Sequence, residues 1–66
     1  MQSNLKKLMK EKGTTILGLA DETGLSSRTI QRARDERIEL CTLKTLAVIA
    51  EALGVGVKQL FDEARP

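Results

Sequence analysis

The sequence predicts an all-α domain of five short helices, with the second and third folded as a helix-turn-helix. Three observations carry that prediction. Apolar residues recur at i, i+3 and i+4 along most of the 66 residues, the spacing of one helix face. Gly24 separates Leu19 and Ala20 from Ser26, which places a left-handed turn residue just before a helix cap. Residues 43–53 carry a broad apolar stripe that stops at Gly54, the pattern of a central packed helix.

Helix 1 is expected over residues 3–12. Leu5, Leu8 and Met9 share a face, with Lys6, Lys7, Lys10 and Glu11 between them. Ser3 is the expected N-cap and Gly13 the stop. Helix 2 is capped by Thr14 or Thr15 and runs to about Thr23, with Ile16, Leu19 and Ala20 inward. Gly18 inside it costs about 1 kcal/mol relative to Ala, and Leu17 falls off the apolar face. Helix 3 runs from about Ser27 to Arg34, opened by Ser26, with Ile30 and Ala33 inward.

Residues 35–41 read as a loop whose Ile38 and Leu40 tuck into the core edge. Thr42 caps helix 4, with Leu43, Leu46, Ala47, Ile49, Ala50 and Leu53 on its stripe. Gly56 caps helix 5, built on Val57, Leu60 and Phe61. Residues 1–66 make one domain, with a frayed tail at about 63–66.

The totals narrow the function. There is no His and a single Cys41, so no Cys/His zinc site, Cys–His dyad or Ser–His–Asp triad is available. The five glycines match neither Walker nor Rossmann spacing. The chain reads as non-enzymatic, with no cofactor and no metal. No apolar run approaches the roughly 20 residues of a membrane span, and no apolar stretch follows the first residues as a signal peptide requires. A lone cysteine fits a reducing cytoplasm.

Net charge is only +2, but it is unevenly placed. Residues 25–45 carry a net +2 and residues 46–66 a net −1. Arg28, Arg32, Arg34 and Arg37 all fall in helix 3 and the loop after it. The planar guanidinium suits phosphate and guanine, because it donates two parallel hydrogen bonds. The competing reading is a solvated helix face, with Arg28 paired to Asp21 or Glu22 across the turn. Cys41 reads as a small, half-buried residue.

Two blocks of this chain resemble the Cro/cI-type (XRE-like) helix-turn-helix family, from about Leu5 to Phe61. The first holds Leu19, Ala20, Gly24, Ser26, Thr29 and Ile30, against the family pattern L-A-x-x-x-G-[VI]-S-x-x-T-I. The second holds Thr42, Leu46, Ile49, Ala50, Leu53, Gly54 and Val55, followed by Leu60 and Phe61. The resemblance implies a compact five-helix, lambda-repressor-like fold that binds double-stranded DNA. It implies that Ser27, Arg28 and Arg32 contact bases. It places Thr15, Ser26, Thr29, Gln31, Arg34, Arg37 and Lys44 on the DNA backbone or beside the base contacts. Helix 3 then enters the major groove, with Arg28 and Arg32 one turn apart on one face.

Three features depart from the family pattern. Ile16 stands where many members have Gln. Asp35 and Glu36 stand where Asn-Gly or Lys-Gly is usual. The loop between helices 3 and 4 is one residue longer. One such unit contacts few base pairs, so the expectation is a repressor that binds a pseudo-palindromic operator as a homodimer, paired in solution or only on DNA. The alternative is a protein-interaction module, such as an antitoxin-type partner, built on the same scaffold.

Overall fold

In the computed structural model, residues 2–62 are described. They form four α-helices: α1 (Leu5–Lys12), α2 (Ile16–Thr23), α3 (Ser27–Ala33) and α4 (Leu43–Leu53). Hydroxyl caps start three of them. Thr15, Ser26 and Thr42 accept from the backbone N–H of Gly18, Thr29 and Thr45 at 3.0, 3.1 and 3.2 Å. Each such bond satisfies one of the helix's orphan donors. Gly13, Gly24 and Gly54 end α1, α2 and α4 in the left-handed region.

The expected fifth helix is not an α-helix. Val57–Leu60 forms one 3-10 turn, and Phe61 leaves it in extended backbone. Phe61–Asp62 (β2) instead pairs antiparallel with Gln2–Ser3 (β1), Ser3 opposite Phe61. This pairing also corrects the start of helix 1. Ser3 lies in β1, and α1 begins at Leu5. The Ser3 hydroxyl accepts from the Leu5 N–H at 3.2 Å and donates to the Ala33 carbonyl. It therefore ties the end of α3 to the start of α1. The Asn4 N–H donates to the Leu60 carbonyl at 2.8 Å, so the ends of the described chain are closed onto each other.

The segment expected as a loop holds a second 3-10 turn, Glu36–Leu40. Asp35 caps it by accepting from the Arg37 N–H at 2.8 Å. That turn buries Ile38, as expected, but Leu40 points outward at 72% exposure. Leu43, placed on the apolar stripe of helix 4, is 71% exposed, and Ala47 is exposed too. The stripe is therefore narrower than its composition suggests: Leu46, Ile49, Ala50 and Leu53 are its buried members.

One core joins every helix. Leu5 and Met9 of α1, Leu19 of α2, Ile30 and Ala33 of α3, Ile38, the α4 stripe and Leu60 are all buried. Among the described residues no polar or charged residue is fully buried. Each fully buried large side chain contributes about 1.5–3 kcal/mol relative to exposure. α2 packs on both α3 and α4, and α3 packs on the Glu36–Leu40 turn. No helix among the described residues is long and apolar enough to cross a membrane, and none of their His, Cys, Asp and Glu residues cluster as metal ligands.

Candidate nucleic-acid interface

The turn between α2 and α3 is braced from both sides. Gly24, at φ 77°, donates its N–H to the Ala20 carbonyl at 2.9 Å. A residue with a Cβ is strained at that φ. Thr23 Oγ1 donates to the Leu19 carbonyl at 2.7 Å and accepts from the Leu25 N–H at 3.2 Å. Ser26 then caps α3, and its hydroxyl meets Thr29 Oγ1 at 2.9 Å. Ser26 and Thr29 thus spend their hydroxyls on fixing the helix start.

α3 is anchored by Ile30 and Ala33, both fully buried. That anchoring turns Arg28 and Gln31 out to solvent and leaves Ser27 and Arg32 half-buried. The competing pairing of Arg28 with Asp21 or Glu22 does not form, and neither Arg28 nor Arg32 has an ion pair or side-chain hydrogen bond among the described residues. Arg32 lies near enough to favour the Asp35 carboxylate. The outer face of α3 therefore presents two arginines, four residues apart, whose donors are unspent.

A second feature flanks α2. Its start, with Thr14, Thr15, Ile16 and Leu17, lines an open cleft of about 430 Å³ together with Lys6, Met9, Lys10 and Arg34. The first N–H groups of a helix carry partial positive charge and attract anions. Three cationic side chains surround that helix start here. The Nε of Arg34 is buried without a hydrogen-bond partner, so this guanidinium has a donor in reserve. Lys6 and Lys10 are contributions that the sequence pattern assigns only to the solvated face of helix 1. The available signal was Thr14 and Thr15 directly after Gly13, which brings the end of α1 against the start of α2.

The remaining expected residues lie elsewhere. Arg37 is held by Asp35, Nη2 to Oδ2 at 2.8 Å and Nε to both carboxylate oxygens at 3.1 Å. This pair lowers the pKa of Asp35, through the side-chain hydrogen bond first and the Arg37 backbone N–H second. Arg37 thus reaches any phosphate with much of its charge already matched. Lys44 is exposed on the first turn of α4. Neither Arg37 nor Lys44 lines the cleft. Burial raises the Cys41 thiol pKa, the opposite of what a reactive thiolate needs.

These parts form a braced turn, a helix with an arginine-bearing outer face and a cationic cleft at the preceding helix start. Neither the curated proteins nor the solved structures contain a match to this chain. A family model described as a Cro/C1-type HTH DNA-binding domain matches residues 4–62, which spans both sequence blocks, the cleft and all of α1 to α4. The chain belongs to the Cro/C1-type helix-turn-helix DNA-binding domain family.

Proposed function

We propose that this protein is a sequence-specific transcriptional regulator, and a repressor, that lays α3 in the major groove of a pseudo-palindromic operator. Arg28 and Arg32 read bases, with Ser27 beside them at the helix start. The observation that carries this reading is the pair of unspent guanidinium groups on the outer face of a helix whose other face is locked in the core. A bidentate arginine–guanine contact contributes about 1–3 kcal/mol of discrimination.

Thr15, Arg34, Lys6 and Lys10 hold a backbone phosphate in the cleft at the start of α2. Gln31, Arg37 and Lys44 make flanking contacts, while Ser26 and Thr29 set the pose of α3. Repression needs only that the bound protein occlude a promoter, so the reading requires neither catalysis nor a cofactor. Two copies bind two half-sites about one helical turn apart. A cytoplasmic setting fits the DNA target and the free Cys41.

Duplex binding by the parent and by Arg28→Ala/Arg32→Ala tests this. The parent binds duplexes selected from a random pool, with affinity that falls as salt rises. The double variant keeps its helical circular dichroism and loses selective binding. Equal selective binding by both proteins overturns the reading.

A further inference from the structure

We infer that the cleft beside α2 is also a regulatory site for a small carboxylate bearing an apolar chain, which displaces DNA by taking the place of a backbone phosphate. The inference rests on the reading that this cleft holds such a phosphate, and it names a second occupant. The cleft measures about 430 Å³, within the roughly 300–1,000 Å³ of small-molecule sites. Its lining is mostly apolar surface, although Lys6, Lys10 and Arg34 stand in it. Met9, Ile16 and Leu17 supply apolar area, and lysine stems add to it. Leu17 stands on the first turn of α2 and is 75% exposed. A phosphate engages the cations and leaves that leucine uncovered, whereas an alkyl chain covers it.

Charge selects the head group. No Asp or Glu lines the cleft, and Lys6, Lys10 and Arg34 form no ion pair among the described residues. The Nε of Arg34 is buried without a hydrogen-bond partner, a costly state for a donor. An acceptor that draws this side chain into the cleft relieves that cost. A guanidinium edge offers two parallel donors, and a carboxylate accepts both.

The same features disfavour other occupants. A neutral apolar molecule leaves the cations unanswered. A second copy seated by a twofold contact sets the same cations against each other. The cleft lined by Glu22 and Glu51 repels the ligand, so binding is confined to the cationic one. Head group and DNA phosphate draw on the same donors, so each weakens the other by the same factor.

NMR titration of the Ile16 and Leu17 methyls in the free protein tests the site without DNA. The probes are acetate, butanoate, hexanoate and octanoate at matched ionic strength. An open cleft covers about half of each methylene, so affinity rises about twofold per carbon, against about fourfold for full burial. Octanoate therefore binds about 60-fold more tightly than acetate. Leu17→Gln, followed at Ile16, keeps its helical circular dichroism and its duplex binding but flattens the chain-length series. Arg34→Gln weakens every carboxylate alike. At ten times its own dissociation constant, octanoate weakens duplex binding by the parent about tenfold, while acetate at that concentration and octanol do not. Equal binding of acetate and octanoate overturns the inference, as does inorganic phosphate binding as tightly as octanoate. An unchanged series in Leu17→Gln, or duplex binding indifferent to saturating octanoate, overturns it too. If octanoate binds as described but the parent binds no duplex, the operator reading fails and the carboxylate site stands.

Discussion

Helices α3 and α4 begin in the same way and end with opposite roles. Ser26 and Thr42 cap them, each accepting from the N–H three residues on and each meeting a threonine hydroxyl, Thr29 at 2.9 Å and Thr45 at 3.0 Å. Beyond the cap the two helices diverge. α4 buries Leu46, Ile49, Ala50 and Leu53, while α3 buries only Ile30 and Ala33. The narrower apolar face of α3 leaves Arg28, Gln31 and part of Arg32 outside. Caps decide where a helix starts, and the width of its apolar stripe decides whether it is scaffold or contact surface.

The largest test of this contrast is a cavity in α4. Ile49 is fully buried, and Ile49→Ala should cost about 2–5 kcal/mol. A core of this size supplies only about 3–5 kcal/mol of net stability. Far-UV circular dichroism should therefore show the variant largely unfolded at room temperature. There is no Trp or Tyr to follow by fluorescence.

The corresponding change on α3 should spare the fold. Arg28→Ala removes an exposed, unpaired side chain, so stability should move by no more than about 0.5 kcal/mol. Its affinity for a selected duplex should fall about 5- to 150-fold. Titrations at several salt concentrations separate this from the cleft. Arg34→Ala should weaken all duplexes alike and lower the salt slope by about 1.

The caps give a smaller and more discriminating effect. Ser26→Ala and Thr42→Ala should each cost about 1 kcal/mol, or roughly 4–8 °C in melting temperature for a domain this small. After correction for folding, only Ser26→Ala should also weaken duplex binding, because it alone loosens the helix proposed to meet DNA. Equal effects on binding would erase the distinction between the two helices.

The smallest effect concerns the turn after α3. The Arg37 contact lowers the pKa of Asp35 below its ordinary value of 3.8. A carboxylate of this kind stabilises the fold above its unfolded pKa, and the contribution is lost as pH falls through the folded value. Acid titration of stability should therefore lose a step below about pH 4 in Asp35→Asn. The pair is exposed, so added salt should diminish that step in the parent.

Much of this architecture was legible in the sequence because local rules dominate it. The hydroxyl caps at Thr15, Ser26 and Thr42 and the glycine stops at 13, 24 and 54 lie where those rules place them. The closure of β1 on β2 was not legible. Two-residue strands carry no periodicity, and their bonds join residues some sixty positions apart. The outward turn of Leu40 and Leu43 was hidden for a related reason. The Glu36–Leu40 turn is set by the Asp35 side chain, without a Gly or Pro to announce it, and it rotates Leu40 away from buried Ile38. Of the proposed contact residues, Arg28 and Arg32 followed from their place on helix 3. Lys6 and Lys10 required the tertiary packing of α1 beside the start of α2.

The central claim is that α3 reads bases through Arg28. The most direct measurement is selection from a random duplex pool with the parent and with Arg28→Ala in parallel. The parent should enrich an inverted repeat with a guanine at one position in each half-site. Arg28→Ala should enrich the same repeat with that position degenerate and the others retained. An unchanged preference at every position would contradict the account.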